Sequence, residues 1–98
     1  MMRTSISARH FKVTDELKDY AQREVQRLTR YFDGIVDCNI ELSFQRQNKT
    51  SEVALTVHGN LLKASETSED FRKSIALSVD KLEHQLKKYK GKLQEKTK

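Results

Sequence analysis

The residues best suited to chemistry in this chain are cations set at helical spacing. Lys81, His84, Lys88 and Lys92 follow one another at intervals of 3, 4 and 4. At roughly 100° per residue this spacing puts them, with Gln85, on one flank of a helix. Lys87 and Lys90 lie on the opposite flank. Upstream, Arg23, Arg27 and Arg30 recur at intervals of 4 and 3. Ammonium and guanidinium groups fixed along a rigid rod neutralise phosphates and release their counterions.

Catalysis has little to work with. His10, His58 and His84 are scattered and none belongs to a metal-ligand pattern such as His-Glu-x-x-His. The glycines, at 34, 59 and 91, are isolated, so no phosphate-cradling loop is present. Acidic residues fall at helix caps and surfaces, with no acid–base pair among them. The chain reads as a non-enzyme with no cofactor and no metal. Cys38 is the single cysteine, which rules out an internal disulfide and points to a reducing cytoplasm. No apolar run approaches the ~20 residues of a membrane helix, and Met1-Met2-Arg3-Thr4-Ser5-Ile6 lacks the apolar region of a signal peptide. The formal charge of +5 over 98 residues favours a polyanionic partner only mildly. Its distribution says more: from Lys81 onward seven lysines face only Glu83 and Glu95.

The element that must carry the lysines is a long helix from Ser68 to Leu93. Phe71, Ile75, Val79, Leu82, Leu86, Tyr89 and Leu93 form one apolar stripe along it. Ser68 is its expected cap, with Glu69 and Asp70 in the first turn. A first helix starts at Thr14, carries the stripe Leu17, Ala21, Val25, Leu28 and Phe32, and stops at Gly34. Four strands are expected. Residues 2–8 alternate weakly around Ile6. Val36, Cys38, Ile40, Leu42 and Phe44 alternate with polar residues in the clearest strand of the chain. Gln47 to Thr50 form a polar connection, and Val53, Leu55 and Val57 continue the alternation. A two-residue turn centred on Gly59 and Asn60, glycine first as type II′ prefers, leads to a short strand at Leu62 and Ala64. Cys38 belongs to the apolar face and reads as a small buried hydrophobe.

The order is therefore β-α-β-β-β-α in one domain spanning residues 1–98, with a frayed tail from 91 to 98. The predicted class is α+β: a four-stranded, mainly antiparallel sheet with both helices packed on one face. The first strand precedes a helix and can pair parallel through a crossover. If the helices lie side by side, their outer faces form one broad positive surface. Folded RNA suits such a surface better than a DNA groove, since no recognition-helix motif or zinc finger is present. Tyr20, Tyr31 and Tyr89 could stack on bases, although Tyr31 and Tyr89 lie on or beside apolar stripes. The residues alone leave two readings open. One is nucleic-acid binding; the other is a solvated lysine face whose stripe pairs with another helix.

Three segments carry a family likeness: Val13-Thr14-Asp15-Glu16-Leu17, Tyr31-Phe32-Asp33, and the run from Val79-Asp80-Lys81-Leu82 through Lys90. They resemble the ribosome hibernation-promoting factor family, which includes the inhibitor described as a sigma modulation protein. The resemblance implies a fold similar to a double-stranded-RNA-binding domain. It implies a factor of stationary phase or stress that sits in the small ribosomal subunit. There it covers rRNA of the decoding centre at the A and P sites and competes with mRNA and tRNA. By motif position the implied rRNA contacts fall on Lys81, His84, Lys88 and Lys92 and on Arg27 and Arg30; Arg23 and Lys87 join them from the face analysis alone. Two departures stand out. His84 replaces a common arginine and loses its bidentate grip on phosphate, and Asp70-Phe71-Arg72-Lys73-Ser74-Ile75 differs from the usual Asp-Met-Tyr-Ala-Ala-Ile. The length resembles the short form, which promotes ribosome pairing with a separate small modulation factor. A monomer is expected away from the ribosome, because the stripe of the last helix is needed under the sheet.

Overall fold

Alternating apolar residues place β2 (Ile35–Gln45) and β3 (Asn48–Val57) at the centre of a four-stranded sheet, flanked by β1 (Arg3–Ala8) and β4 (Asn60–Ser68). This structure is a computed structural model that describes residues 2–32 and 34–96, with side chains as far as Gly91. β1 pairs parallel to β2, and the remaining pairs are antiparallel. The parallel pair follows from the crossover between them, which is α1 (Asp15–Gln26) with a 3-10 turn at Arg27–Arg30. α2 (Phe71–Lys96) closes the order β-α-β-β-β-α, and both helices cover the same face of the sheet.

Thr14 opens α1 as expected, its Oγ1 accepting from Leu17 N at 3.2 Å. The α-helix does not persist to Phe32. At Arg27 it tightens to 3-10, where Thr29 Oγ1 donates to Gln26 O at 2.7 Å and Tyr31 N donates to Leu28 O at 3.1 Å. These local bonds satisfy carbonyls that a helix end leaves open.

The sheet departs from simple alternation at one point. Ile35 pairs with Val57 but Asp37 pairs with Thr56, so Val36 is the extra residue of a bulge. Ile35 takes the inward place, and Val36, expected on the apolar face, is 49% exposed. Cys38, Ile40 and Leu42 are buried as the alternation predicts, whereas Phe44 is 46% exposed. Burial pushes the Cys38 thiol up to about 12.

Both hairpin turns differ from the sequence reading. The β2–β3 turn is Arg46-Gln47, with Arg46 at φ 59°. Asn48, Lys49 and Thr50, expected in the connection, are strand residues, and Thr50 Oγ1 lies 2.8 Å from Thr67 Oγ1 on β4. The β3–β4 turn is centred on His58 and Gly59, at φ 48° and 78°. Two consecutive positive φ values make it type I′, one residue earlier than the type II′ turn read from the sequence.

β4 runs on to Ser68, which therefore ends a strand instead of capping α2. Asp70 is the cap: its Oδ1 accepts from Arg72 N at 3.1 Å, and its carbonyl from Ser74 N at 3.0 Å. Ser68 braces that cap: its Oγ donates to Asp70 O at 2.7 Å and lies 2.6 Å from Ser74 Oγ. The α2 stripe is where its period puts it. Ile75, Val79, Leu82 and Leu86 are at most 1% exposed, and Phe71 and Tyr89 pack partly buried against the same core. Each fully buried aliphatic contributes about 1.5–3 kcal/mol. Ser74 and Ser78 are buried beside them. The side chains of Lys92 and Leu93 lie outside the described residues, as do residues 97 and 98, whereas the backbone of 91–96, in the tail expected to fray, belongs to α2.

Candidate nucleic-acid interface

The expected cations fall into separate zones, because α2 packs against β3 and β4 on one side and against α1 on the other. On the flank towards β4 stand Lys81, His84 and Lys88, all exposed. Lys81 Nζ is 2.7 Å from Glu66 Oε1 of that strand. Gln85 Nε2 on the same flank donates to Lys63 O at 2.9 Å, closing one carbonyl of the sheet's edge. Lys92 belongs to this flank by spacing alone.

The second zone is the seam between the helices. Arg27 Nη2 donates to Asp80 Oδ1 at 3.0 Å and lies 3.4 Å from Glu24 Oε1. Lys87 Nζ is 3.9 Å from Glu83 Oε2 and sits 5.2 Å from the centroid of the Tyr31 ring. Glu83 in turn pushes the Tyr31 phenol above its usual range. Arg72 lies 5.4 Å from the Tyr20 ring centroid at the start of the seam. One unbroken positive surface is thus not what the helices make. Glu24, Asp80 and Glu83 interrupt it, since cations crowded between two helices are relieved by carboxylates at i±3, at i±4 or across the seam.

Arg30 ends the 3-10 turn and, with Lys90, borders a cleft beside the β3–β4 turn. Arg23 stands apart on the β1 side of α1, where it lines a groove of about 720 Å³ with Met2, Thr4, Asp19, Gln22 and Gln26. Of the expected residues, then, Arg27, Lys81 and Lys87 have carboxylate partners. Arg23, Arg30, His84 and Lys88 have none among the described residues. The i,i+3 pair Glu24–Arg27 and the i,i+4 pair Glu83–Lys87 are legible in the sequence. The link from Arg27 to Asp80, and that from Lys81 to Glu66, need the fold. Spacing alone makes Lys90 a flank lysine; its company with Arg30 and His58 also needs the fold. Among the described residues no three His, Cys, Asp or Glu side chains are placed to hold a metal ion, and no helix is long and apolar enough to cross a membrane.

A mixed four-stranded sheet with two helices on one face and cations on their outward flanks makes this an α+β domain with a cationic helix layer. The family described as Sigma 54 modulation protein / S30EA ribosomal protein matches residues 4–94, and this chain belongs to it. A ribosome hibernation promoting factor of Azotobacter vinelandii is 35% identical over 91 residues, 93% of this chain and 85% of that protein. The N-terminal domain of Protein Y from Thermus thermophilus superposes with a TM-score of 0.80 at 30% identity, covering 90% of this chain and 97% of that one. A ribosomal subunit interface protein from Coxiella burnetii shares the fold, with a TM-score of 0.86 at 23% identity over 93% of this chain and 99% of that one.

Proposed function

We propose that this chain is a ribosome hibernation factor acting on the small ribosomal subunit. It occupies the mRNA/tRNA channel at the decoding centre and the A and P sites, covers rRNA there, and stops translation in stationary phase or stress. It works in the cytoplasm and is a monomer off the ribosome. A separate small modulation factor is the candidate partner for ribosome pairing. The observation that carries this reading is the family match over residues 4–94, together with a 35% identical relative named as a hibernation promoting factor. The physical support is the exposed cationic flank of α2, with Lys88 and Lys81, and the exposed Arg30 at the end of the 3-10 turn.

Such inhibition needs no bond to be made or broken. It is exclusion between two ligands of one rRNA site, and excess mRNA and tRNA should displace the protein. If about six phosphates are neutralised, affinity should fall about a thousandfold between 50 and 200 mM salt. The test is cosedimentation with purified small subunits across that salt range, with and without tRNA and mRNA. Binding indifferent to salt, or undisturbed by tRNA and mRNA, would sink the reading. Equal affinity for unrelated structured RNA would reduce the protein to a general RNA-binding module. A helix-pairing protein without an RNA role is disfavoured, because Ile75, Val79, Leu82 and Leu86, the surface it would use, are already at most 1% exposed.

A further inference from the structure

The cleft at the end of the sheet has a composition that the helix flanks do not share. It measures about 350 Å³ and is lined by Arg30, Tyr31, Phe32, Gly34, His58 and Lys90. That is at the small end of the about 300–1,000 Å³ in which proteins hold small ligands. Its lining is aromatic with two cations, and no carboxylate stands among the described residues that border it.

The rings are held in place. The His58 ring meets Phe32 edge-on at 5.1 Å, and Phe32 meets Tyr89 edge-on at 5.5 Å. Tyr89 Oη accepts from Asn60 Nδ2 at 3.2 Å and lies 3.4 Å from His58 Nδ1. Gly34 gives the imidazole its room, since a Cβ there would fall 2.4 Å from His58 Nε2 and 2.6 Å from Phe32 Cε2. The turn itself does not ask for histidine. A type I′ turn favours Asn-Gly; histidine at φ 48° is among the side chains that enter this region more readily, but it is not the residue the turn prefers. Turn chemistry therefore explains Gly59 but not the ring at 58.

We propose that this cleft receives one unpaired nucleotide of the RNA beneath the helices, its base against the aromatic wall and its phosphate against Arg30 and Lys90. The inference rests on the RNA-binding reading and extends its contact surface from the helices to the β3–β4 turn. A base without a pairing partner presents a free π-face, which aromatic rings take regardless of sequence. The flanking guanidinium and ammonium suit its phosphate. Paired RNA has no such face to offer, so the cleft would select a bulged or looped position.

The test compares adenosine 5′-monophosphate, ribose 5-phosphate and inorganic phosphate by amide chemical shifts of the labelled protein, beside small-subunit cosedimentation of the wild type and His58→Asn. Asparagine followed by glycine is the pair this turn type favours, so the substitution removes the ring and keeps the hairpin. The expected result is that the mononucleotide alone moves the amides of Gly34, His58 and Gly59. His58→Asn should abolish that response and weaken subunit binding about tenfold, the loss of one stacked base. A mononucleotide response no different from that of ribose 5-phosphate overturns the proposal. So does a folded His58→Asn variant that binds subunits like wild type. In either case wild-type binding to subunits leaves the parent reading standing; wild-type protein that fails to bind them removes both.

Discussion

From Phe71 to Val79, α2 is fastened to the sheet by hydroxyls as well as hydrocarbon. From Asp80 onward it is fastened by leucines and turns its remaining faces to charge. In the first half Ser74 Oγ donates to Lys49 O at 2.7 Å, and Ser78 Oγ lies 3.0 Å from Ser51 O and 2.8 Å from Ser74 O. Two small polar side chains let the helix come close to β3 and tie it there by directional bonds. In the second half Leu82 and Leu86 are the buried residues among those described, and Lys81, His84, Lys87, Lys88 and Lys90 are exposed. Buried serine hydroxyls fix the register at one end; at the other, buried leucines hold a platform of cations, and the hydrogen bonds there, such as Gln85 Nε2 to Lys63 O, are exposed. Stability and binding should therefore be separable along a single helix.

The largest effect expected is at the hydrocarbon anchor. Leu82→Ala should cost about 2–5 kcal/mol of unfolding free energy, because the side chain is 0% exposed and its loss leaves a cavity. Lys88→Ala, six residues on, should stay within about 0.5 kcal/mol. Urea unfolding of both variants checks the contrast. Equal losses would mean that the lysine face is part of the core's support.

Next is the platform. Replacing Lys81, Lys88 and Lys92 together by alanine should leave the circular dichroism unchanged and weaken small-subunit binding. At about 1 kcal/mol for each of the three lost phosphate contacts, the loss is at most about 150-fold. A folded variant that inhibits translation at wild-type concentration would take this flank out of the binding face. One that unfolds would mean the stripe has been misplaced.

What the sequence made legible follows the same division. Periodicity located the stripe of α2 and the inward residues Cys38, Ile40, Leu42, Val53, Leu55 and Val57, because burial repeats with the element's own geometry. It could not find the bulge at Val36. There apolar residues at both 35 and 36 allow either register, and only pairing with Val57 decides. It also passed over Ser74 and Ser78, since a buried hydroxyl has no hydropathy signal; its partners are carbonyls on β3. The cations were legible as a set, and so were the partners Glu24 and Glu83 on their own helices, but not the partners on other elements. Glu66 lies on the inward face of β4, and only the fold sets it beside Lys81.

The hydroxyl anchor should give a smaller effect than the leucines. Ser78→Ala removes the bonds to Ser51 O and Ser74 O without opening a large cavity, so about 1 kcal/mol should be lost. Hydrogen exchange would place the change: amides of the first half of α2 and of β3 near Ser51 should lose protection, while those around Leu86 keep theirs. Uniform loss along the helix would erase the distinction between its halves.

The smallest effect tests the seam, where the two kinds of anchoring meet. Arg27 is, among the described residues, the one expected RNA contact that is both half-buried and doubly paired, with Asp80 and Glu24. Burial works against its charge, yet the hydrogen bond to Asp80 and the neighbouring carboxylates hold its pKa above the usual value. Its Nε is buried without a partner among the described residues. A phosphate approaching the seam must compete with those carboxylates. Asp80→Asn removes one competitor and one negative charge while keeping an acceptor for the guanidinium. Exposed pairs contribute only about 0–1 kcal/mol, so the fold should lose less than that. Subunit affinity should rise about two- to fivefold at 50 mM salt, and the gain should shrink at 200 mM as screening grows. Unchanged affinity would make Arg27 a tie between α1 and α2 and nothing more. Weaker binding would mean that Asp80 positions the guanidinium for the phosphate, and Asp80→Ala should then weaken it further.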